Sequence, residues 1–310
     1  MISKFKFLFS ITLVVTIFLT GCQKAESDQK PETLNIVATT TMLADLTKII
    51  GGEYVTVNGL MGPGIDPHLY QASAGDVTLM EKAGVVVYNG LHLEGKMGEI
   101  FESLSDRGRT VISIEEGLDL NKLLSWEDDP SIYDPHIWFD VSLWKDAAVI
   151  VADKLSKTDP DHQEDYSNNL EEYLAELDDL DLYIKYRVSE IPEDQRVLIT
   201  AHDAFNYFGK AYGFEVKGLQ GISTDAEAAT SDVSSLAEFI TQRKIKAIFI
   251  ESSVPPKTIE ALQAAVKAKD FDVTIGGELY SDSLGGEDSG DETYILTVKS
   301  NIDTIVEALK

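Results

Sequence analysis

Three histidines and one aspartate stand in short, turn-like segments that are far apart along the chain. His68 and His136 each follow an Asp-Pro pair, His202 follows an apolar run, and Asp282 follows a glycine pair by a few residues. Imidazole and carboxylate groups are the side chains that bind borderline divalent transition metals. The gaps between the four residues are 68, 66 and 80 residues, which excludes a local metal-binding loop. We therefore predict one metal site that the tertiary fold assembles in a cleft.

Two further histidines lie in less informative surroundings. His162 stands at the acidic start of a long helical pattern and is predicted to face solvent. His92 lies between two glycines at positions 90 and 95 and could approach the cleft. A histidine in a loop is more often a surface residue than a ligand, so the four residues above remain the predicted site.

The local sequence supports a stiff setting for two of the predicted ligands. Pro67 and Pro135 restrict the backbone directly before His68 and His136. Asp66 and Asp134 precede these prolines, and their carboxylates are predicted to cap the turn or to accept a hydrogen bond from a ligand. In open α/β sheets, ligands bind beyond the carboxyl ends of the strands. Each predicted ligand follows a predicted strand, so four separate loops are expected to converge at one rim.

Strand-like runs alternate with helical patterns in both halves of the chain. The predicted strands are 34–40, 55–61, 85–88, 111–114, 197–200, 214–217, 247–250 and 273–275, and the predicted helices include 41–50, 72–82, 97–104, 204–211, 233–243, 258–267 and 294–309. This alternation predicts an α/β fold with two lobes, 34–159 and 193–310, each a mostly parallel β-sheet flanked by helices.

A segment without glycine separates the two halves. It lies between Pro160 and Pro192, and its apolar residues recur every three or four positions from Tyr166 to Ile184. About 30 residues at ~1.5 Å per residue would make a helix of ~45 Å. We predict one long, rigid backbone helix, 160–192, that joins the lobes; the alternative is an ordinary surface helix of a single domain.

The N-terminus has the pattern of a processing signal. Lys4 and Lys6 precede an apolar run that ends at Leu19-Thr20-Gly21-Cys22 and resembles the lipobox of bacterial lipoproteins. Residues 1–21 are thus a predicted lipoprotein signal peptide, Cys22 is the predicted lipidation site, and 22–33 are a flexible tether. The alternative is an ordinary signal peptide with an incidental cysteine.

The charge balance excludes one class of partner. The chain has 26 Lys and Arg against 53 Asp and Glu, a formal charge of −27, and loss of Lys4 and Lys6 with the signal peptide makes it −29. Nucleic-acid binding needs clustered basic residues, so we expect no nucleic-acid partner. The acidic surface could attract divalent cations, or it could simply keep the protein soluble.

Six sequence blocks together resemble the TroA-like family, the solute-binding lipoproteins of bacterial manganese and zinc ABC importers. The blocks are Gly64–Tyr70, Asp134–Trp138, Thr200–Phe208, Lys217–Gly221, Phe249–Ser253 and Gly276–Asp282. They cover essentially all of the chain after the signal peptide. The resemblance implies two α/β lobes joined by a long helix, with one metal in the cleft bound by His68, His136, His202 and Asp282.

The same resemblance implies a role in transport. The protein is expected to be a lipid-anchored monomer on the extracytoplasmic face of the cell membrane, delivering its metal to a membrane permease powered by a cytoplasmic ATPase. The chain itself has no Gly-x-x-x-x-Gly-Lys-[Ser/Thr] loop, so it is not predicted to be that ATPase. An adhesin role, sometimes attached to such lipoproteins, has no separate support in the sequence.

The identity of the metal stays open between manganese and zinc, with manganese favoured. Some manganese-binding relatives have a glutamate where this chain has His202, which leaves room for Zn²⁺. Zinc-specialised relatives often carry a His-rich insertion, whereas 118–134 is acidic and contains no histidine. Bidentate binding by Asp282 would raise the number of ligand atoms and suit Mn²⁺.

A metallohydrolase is the rival from another functional class. Three protein ligands and an open position would activate a metal-bound water, with Glu251 or Glu278 as the base. The sequence contains no His-Glu-x-x-His motif. Asp282 as a fourth ligand would close the site, so we predict a binding protein rather than an enzyme.

Overall fold

The structure, a computed structural model, describes residues 33–126 and 129–310. The predicted signal peptide, the lipidation site Cys22 and nearly all of the predicted tether lie outside the described residues. Residues 33–310 form one compact unit.

The N-terminal lobe is built on a four-stranded parallel sheet. Its strands are Leu34–Ala38 (β1), Val55–Gly59 (β2), Val85–Tyr88 (β3) and Thr110–Ser113 (β4), in the order β2-β1-β3-β4. The helices Thr41–Gly51 (α1), Ala74–Lys82 (α2) and Gly98–Asp106 (α3) follow the first three strands. Ile36, Val37 and Ala38 are fully buried, as expected for a strand covered on both faces. The first strand ends earlier than predicted because the Thr40 hydroxyl accepts the Leu43 backbone N–H and caps α1.

The C-terminal lobe contains two pairs of parallel strands. They are Val197–His202 (β5) with Glu215–Gln220 (β6), and Ala247–Glu251 (β7) with Thr274–Leu279 (β8), and β5 lies beside β7. Its helices are Asn206–Tyr212 (α6), Thr230–Arg243 (α7), Lys257–Lys267 (α8) and Tyr294–Leu309 (α9). Helices α4 and α5 precede them in the chain. The predicted α/β fold, with two lobes built on parallel β-sheets, is therefore confirmed.

The long helix between the lobes is shorter than predicted. It runs from Gln163 to Val188 (α5), about 39 Å at ~1.5 Å per residue, and a separate 3₁₀ turn occupies Pro160–His162. The carboxylate of Asp159 accepts hydrogen bonds from His162 Nδ1 at 2.8 Å and from the Tyr166 hydroxyl at 2.7 Å. These bonds hold the turn apart from the helix. His162 is half-buried and stacks on Tyr54 at 4.1 Å, so the prediction that it faces solvent was wrong.

An 18-residue helix that the sequence analysis did not identify precedes the 3₁₀ turn. This helix, Val141–Thr158 (α4), packs against α5. Nine of its residues are buried, including Trp144 and three consecutive positions from Ile150 to Ala152. Buried residues recur every three or four positions from Trp144 to Leu155. This is the spacing of an amphipathic helix, so the pattern that predicts α4 is present in the sequence.

One cluster of buried apolar side chains runs through both lobes and the helices between them. It contains Ile36 of β1, Trp144 of α4, Leu177 of α5, Leu279 of β8 and Ile305 of α9. The lobes thus share a continuous core on the side of α4 and α5. Among the described residues, no helix is long and apolar enough to span a membrane.

Candidate metal centre

The structure brings the four predicted residues together. His68, His136, His202 and Asp282 each offer one ligand atom, and these atoms all lie within 4.8 Å of one another. All four residues are at most 2% exposed. His92 is exposed and does not belong to this cluster.

Two of the histidines are positioned by the same kind of turn. Asp66 Oδ1 accepts the backbone N–H of His68 at 2.9 Å, and Asp134 Oδ1 accepts that of His136 at 3.0 Å. Each aspartate therefore closes a short turn around the proline that separates it from the histidine. The predicted capping role of both aspartates is present in the structure.

The other two residues follow strands of the C-terminal lobe. His202 is the last residue of β5, where its backbone pairs with β6 at Gln220. Gly218 permits this close packing, because a Cβ there would lie 2.4 Å from the backbone nitrogen of Asp203. Asp282 follows β8 by three residues. Both lie at carboxyl ends of parallel strands, as the sequence predicted.

The ligand atoms have the spacing of a coordination shell. His136 Nε2 lies 3.3 Å from the Nε2 atoms of both His68 and His202. The Asp282 carboxylate approaches two of these rings, with Oδ1 3.5 Å from His136 Nε2 and Oδ2 3.4 Å from His202 Nε2. A tetrahedron of ligands ~2.1 Å from an ion has edges of ~3.4 Å. The cluster therefore has room for one cation at its centre.

Carboxylates lie beside Nδ1 of two of the imidazole rings, so that Nε2 of each ring faces the centre of the cluster. Asp134 Oδ1 lies 2.7 Å from His136 Nδ1. Glu251, at the end of β7, lies with Oε2 2.6 Å from His202 Nδ1, and its Oε1 accepts the His202 backbone N–H at 2.9 Å. Such partners select the tautomer that leaves Nε2 free to bind a metal. From the sequence, Glu251 was predicted only as a possible base, and its position behind His202 was not predicted.

A further buried carboxylate, Glu94, supports the turn around His136 from the N-terminal lobe. Glu94 is 4% exposed and accepts hydrogen bonds from the Thr39 hydroxyl and the backbone N–H of Asn89. The Asn89 side chain then donates to the Pro135 carbonyl at 3.1 Å. The ends of β1 and β3 are thereby tied to the residue before His136. No local sequence pattern predicts this contact, because Asn89 and Pro135 are 46 residues apart.

Burial and neighbouring charges shift the pKa values of the four side chains in different directions. Burial, together with the neighbouring imidazoles, lowers the pKa of His68 to about 3. Burial opposes the charged forms of His136 and His202 as well, but nearby carboxylates outweigh it and raise the pKa of both. Burial acts against the Asp282 anion too, yet His202 and His136 hold its pKa well below the usual range. Asp282 is therefore an anion that is stabilised by positive charge on the neighbouring imidazoles.

One oxygen of this anion has no hydrogen-bond partner. Asp282 Oδ2 accepts a hydrogen bond from Ser253 at 3.1 Å, whereas Oδ1 accepts none from any described residue although it is fully buried. A buried, unpaired carboxylate oxygen is costly in a folded protein. It is the expected arrangement if a cation at the centre of the cluster is its partner.

A groove of about 770 Å³ reaches the back of the cluster rather than its centre. It is lined by Asp134 and Asp203 together with Trp126, Lys217 and Phe239, and none of the four ligand residues lines it. The chemistry of the cluster therefore does not belong to this groove.

Comparison with known proteins places the chain in a family. Residues 36–308 match the family described as "Zinc-uptake complex component A periplasmic". The chain is 48% identical over 290 residues to the zinc-binding protein TroA of Treponema pallidum, covering 93% of this chain and 92% of that protein. It is 42% identical over 304 residues to the manganese-binding lipoprotein MntA of Bacillus subtilis, covering 98% and 99%.

The fold agrees with a solved structure of one of these relatives. The structure of the periplasmic zinc-binding protein TroA from Treponema pallidum superimposes with a TM-score of 0.87, covering 89% of this chain and 99% of that chain. The two-lobed α/β fold with a long connecting helix and a cluster of three histidines and one aspartate defines a class of metal-binding proteins of ABC importers. The chain belongs to the ZnuA family of periplasmic metal-binding proteins.

Proposed function

We propose that this protein captures one divalent transition metal outside the cytoplasm and delivers it to the permease of an ABC importer. The observation that carries the proposal is the buried cluster of His68, His136, His202 and Asp282 with an unpaired oxygen on Asp282. In this proposal these four residues are the metal ligands. The permease and its cytoplasmic ATPase are the partners, and the protein acts as a monomer.

The proposal extends to the parts of the chain before the lobes. Residues 1–21 act as a lipoprotein signal peptide, Cys22 carries the lipid, and 22–33 tether the folded unit to the outer side of the cell membrane. The lobes are 34–159 and 193–310, with 160–192 as the connection. Support comes from the sequence pattern at Cys22 and from relatives such as MntA that are named as lipoproteins.

We propose Mn²⁺ as the cargo, with Zn²⁺ as the alternative. Each Asp282 oxygen lies near a different imidazole, so both oxygens face the centre of the cluster. Bidentate binding by Asp282 would then give five ligand atoms. A higher coordination number suits Mn²⁺ better than Zn²⁺, which prefers four. The edges of 3.3 to 3.5 Å favour Zn²⁺ instead. The two relatives above are named for different metals.

A metallohydrolase remains a weaker alternative. Hydrolysis needs an open coordination position and a carboxylate base beside the bound water. Glu251 contacts Nδ1 of His202, which is the ring atom opposite the proposed metal, and Glu278 is exposed on β8. Neither carboxylate is placed to activate a water at the centre of the cluster. Hydrolytic turnover by the metal-loaded protein would favour this alternative.

The proposal is tested by measuring metal content and competition. We expect the full chain, produced in metal-balanced medium and analysed by mass spectrometry, to retain one equivalent of metal. Mn²⁺ and Zn²⁺ titrations against a chelator then rank the two ions. Replacement Asp282→Ala should abolish retention, while Asp272→Ala, an exposed carboxylate of the same lobe, should keep one equivalent. Retention of neither metal by the unaltered protein would overturn the proposal.

A further inference from the structure

The turn that carries His68 is held by the opposite lobe at two points. Its Gly64 backbone N–H donates to the Ser283 hydroxyl at 2.8 Å. Its Asp66 carboxylate accepts a hydrogen bond from the Thr224 hydroxyl at 2.6 Å through Oδ2, while Oδ1 accepts the His68 N–H. One carboxylate therefore joins the ligand's own turn to a residue of the C-terminal lobe.

Thr224 belongs to a segment, residues 222–228, that we call the latch segment. It follows β6 directly, and β6 pairs with β5 at His202. The side chain of Gln220 donates to the Ala226 carbonyl at 3.0 Å and holds the segment at its base. His202 pairs with β6, and Thr224, shortly after β6, bonds Asp66 in the turn of His68. Strand pairing and side-chain hydrogen bonds thus link the two predicted ligands.

A second contact of the latch segment also crosses to the N-terminal lobe. Asp225 forms an ion pair with Lys96 at 2.9 Å, and both side chains are about half exposed. An exposed pair contributes little by itself. Thr224, by contrast, is 8% exposed and its partner Asp66 is a carboxylate. The hydrogen bond to this partly buried carboxylate is therefore the stronger part of the contact.

The cluster must open before a metal can leave, because its four ligand residues are at most 2% exposed. The surface beside His68 is the thinnest cover, since its neighbours Ile65 and Leu69 are 41% and 48% exposed. His136 and His202, by contrast, are 0% exposed and have carboxylate partners behind their rings. Movement of the His68 turn is thus the least costly way to expose the metal.

We infer that Thr224 is a positioning residue that latches the His68 turn, so that breaking its hydrogen bond to Asp66 limits the rate at which metal is released. This inference rests on the proposed metal-binding function. Loss of the latch leaves all four ligands in place, so it is expected to raise the release rate much more than it lowers the association rate.

The test compares three variants of the full chain, purified in detergent and loaded with Mn²⁺ or Zn²⁺. Thr224→Val removes the hydroxyl and keeps the side-chain shape, and Thr224→Ser restores the hydroxyl. Thr241→Val is the matched control, because the Thr241 hydroxyl bonds only the Ala237 carbonyl within its own helix. Release is followed by mixing with excess chelator in a stopped-flow instrument, and association by mixing the apo protein with metal.

We expect Thr224→Val to release metal about tenfold faster, with association and the apo melting temperature nearly unchanged. Thr224→Ser and Thr241→Val should release metal at the rate of the unaltered protein. A Thr224→Val release rate within twofold of that rate would overturn the latch while leaving the metal site intact. A lower apo melting temperature without faster release would assign Thr224 a structural role only. An unaltered protein that binds no metal would overturn the proposed function as well.

Discussion

At the scale of single residues, the two Asp-Pro-His turns use the same local device for different connections. In both, the aspartate accepts the backbone N–H of the histidine. Asp134 uses the same oxygen for the ring of His136, and its second oxygen accepts from Asn206 of the C-terminal lobe at 3.2 Å. The second oxygen of Asp66 accepts from Thr224 of that lobe. Both turns therefore depend on the opposite lobe, and the ring of His136 is also held by its own turn.

Glu251→Gln tests the role of the carboxylate behind His202. Glutamine keeps the size of the side chain and can still accept the His202 backbone N–H, but it removes the negative charge beside Nδ1. We expect metal affinity to fall by about 10- to 100-fold, as measured by competition with a chelator. Glu278→Gln, on the exposed face of β8, is the control and should leave affinity unchanged. An affinity of Glu251→Gln equal to the control would contradict the positioning role.

Asp45→Asn tests a partly buried carboxylate away from the cluster. Asp45 accepts the Tyr294 backbone N–H at 2.9 Å, and burial raises its pKa from 3.8 to about 6. Because the folded pKa is the higher one, its contribution to stability is complete below pH 3.8 and is lost as pH rises through about 6. The loss is at most about 3 kcal/mol.

We therefore expect Asp45→Asn to raise the free energy of unfolding at pH 7 and to flatten its change between pH 4 and 7. Chemical denaturation of the apo protein at several pH values measures both effects. The exposed control Asp272→Asn should follow the unaltered protein. A variant that is less stable than the unaltered protein at pH 7 would show that the Tyr294 contact requires the anion.

At the scale of secondary-structure elements, α5 connects helices of both lobes. It packs against α1 and α4 of the N-terminal lobe and against α6 and α9 of the C-terminal lobe. Its buried residues recur every three or four positions from Tyr173 to Val188, and this spacing allowed the helix to be predicted. Its start was misplaced because Asp159 stabilises a separate turn before it.

Two leucines of α5 offer a matched pair for a stability test. Leu177 is fully buried in the shared core, whereas Leu182 is 63% exposed. We expect Leu177→Ala to lower the free energy of unfolding by about 2–5 kcal/mol because it leaves a cavity. Leu182→Ala should change it by less than about 0.5 kcal/mol. Equal effects in denaturant titrations would show that α5 does not pack against both lobes as described.

At the scale of the whole molecule, the shared core limits how far the lobes can move. The cluster of buried side chains continues from β1 through α4 and α5 to α9. Tyr294 of α9 also donates its hydroxyl to the Trp138 carbonyl at 2.7 Å, and the Trp138 indole donates to the Ser281 carbonyl at 2.9 Å. A wide hinge opening would break these buried contacts, while a local movement of the His68 turn would not.

We therefore expect only a small lobe rotation on metal release. Crystal structures with and without metal measure it directly, and small-angle scattering should show nearly equal radii of gyration for the two states. A chelator-treated sample of Asp282→Ala serves as a control for bound residual metal. A rotation of tens of degrees would refute the expectation.

The sequence by itself determined the class of fold and the four candidate ligands. Strand-like and helical patterns are local, and the Asp-Pro-His turns are closed by neighbours two residues apart, so both can be recognised without a structure. The helix α4 was overlooked, although its buried residues from Trp144 to Leu155 recur at helical spacing. Only the tertiary structure decided which groups stand behind the ligands. Glu251 and Thr224 are 49 and 158 residues from the partners they bond, His202 and Asp66, and contacts over such separations are set by packing rather than by local pattern.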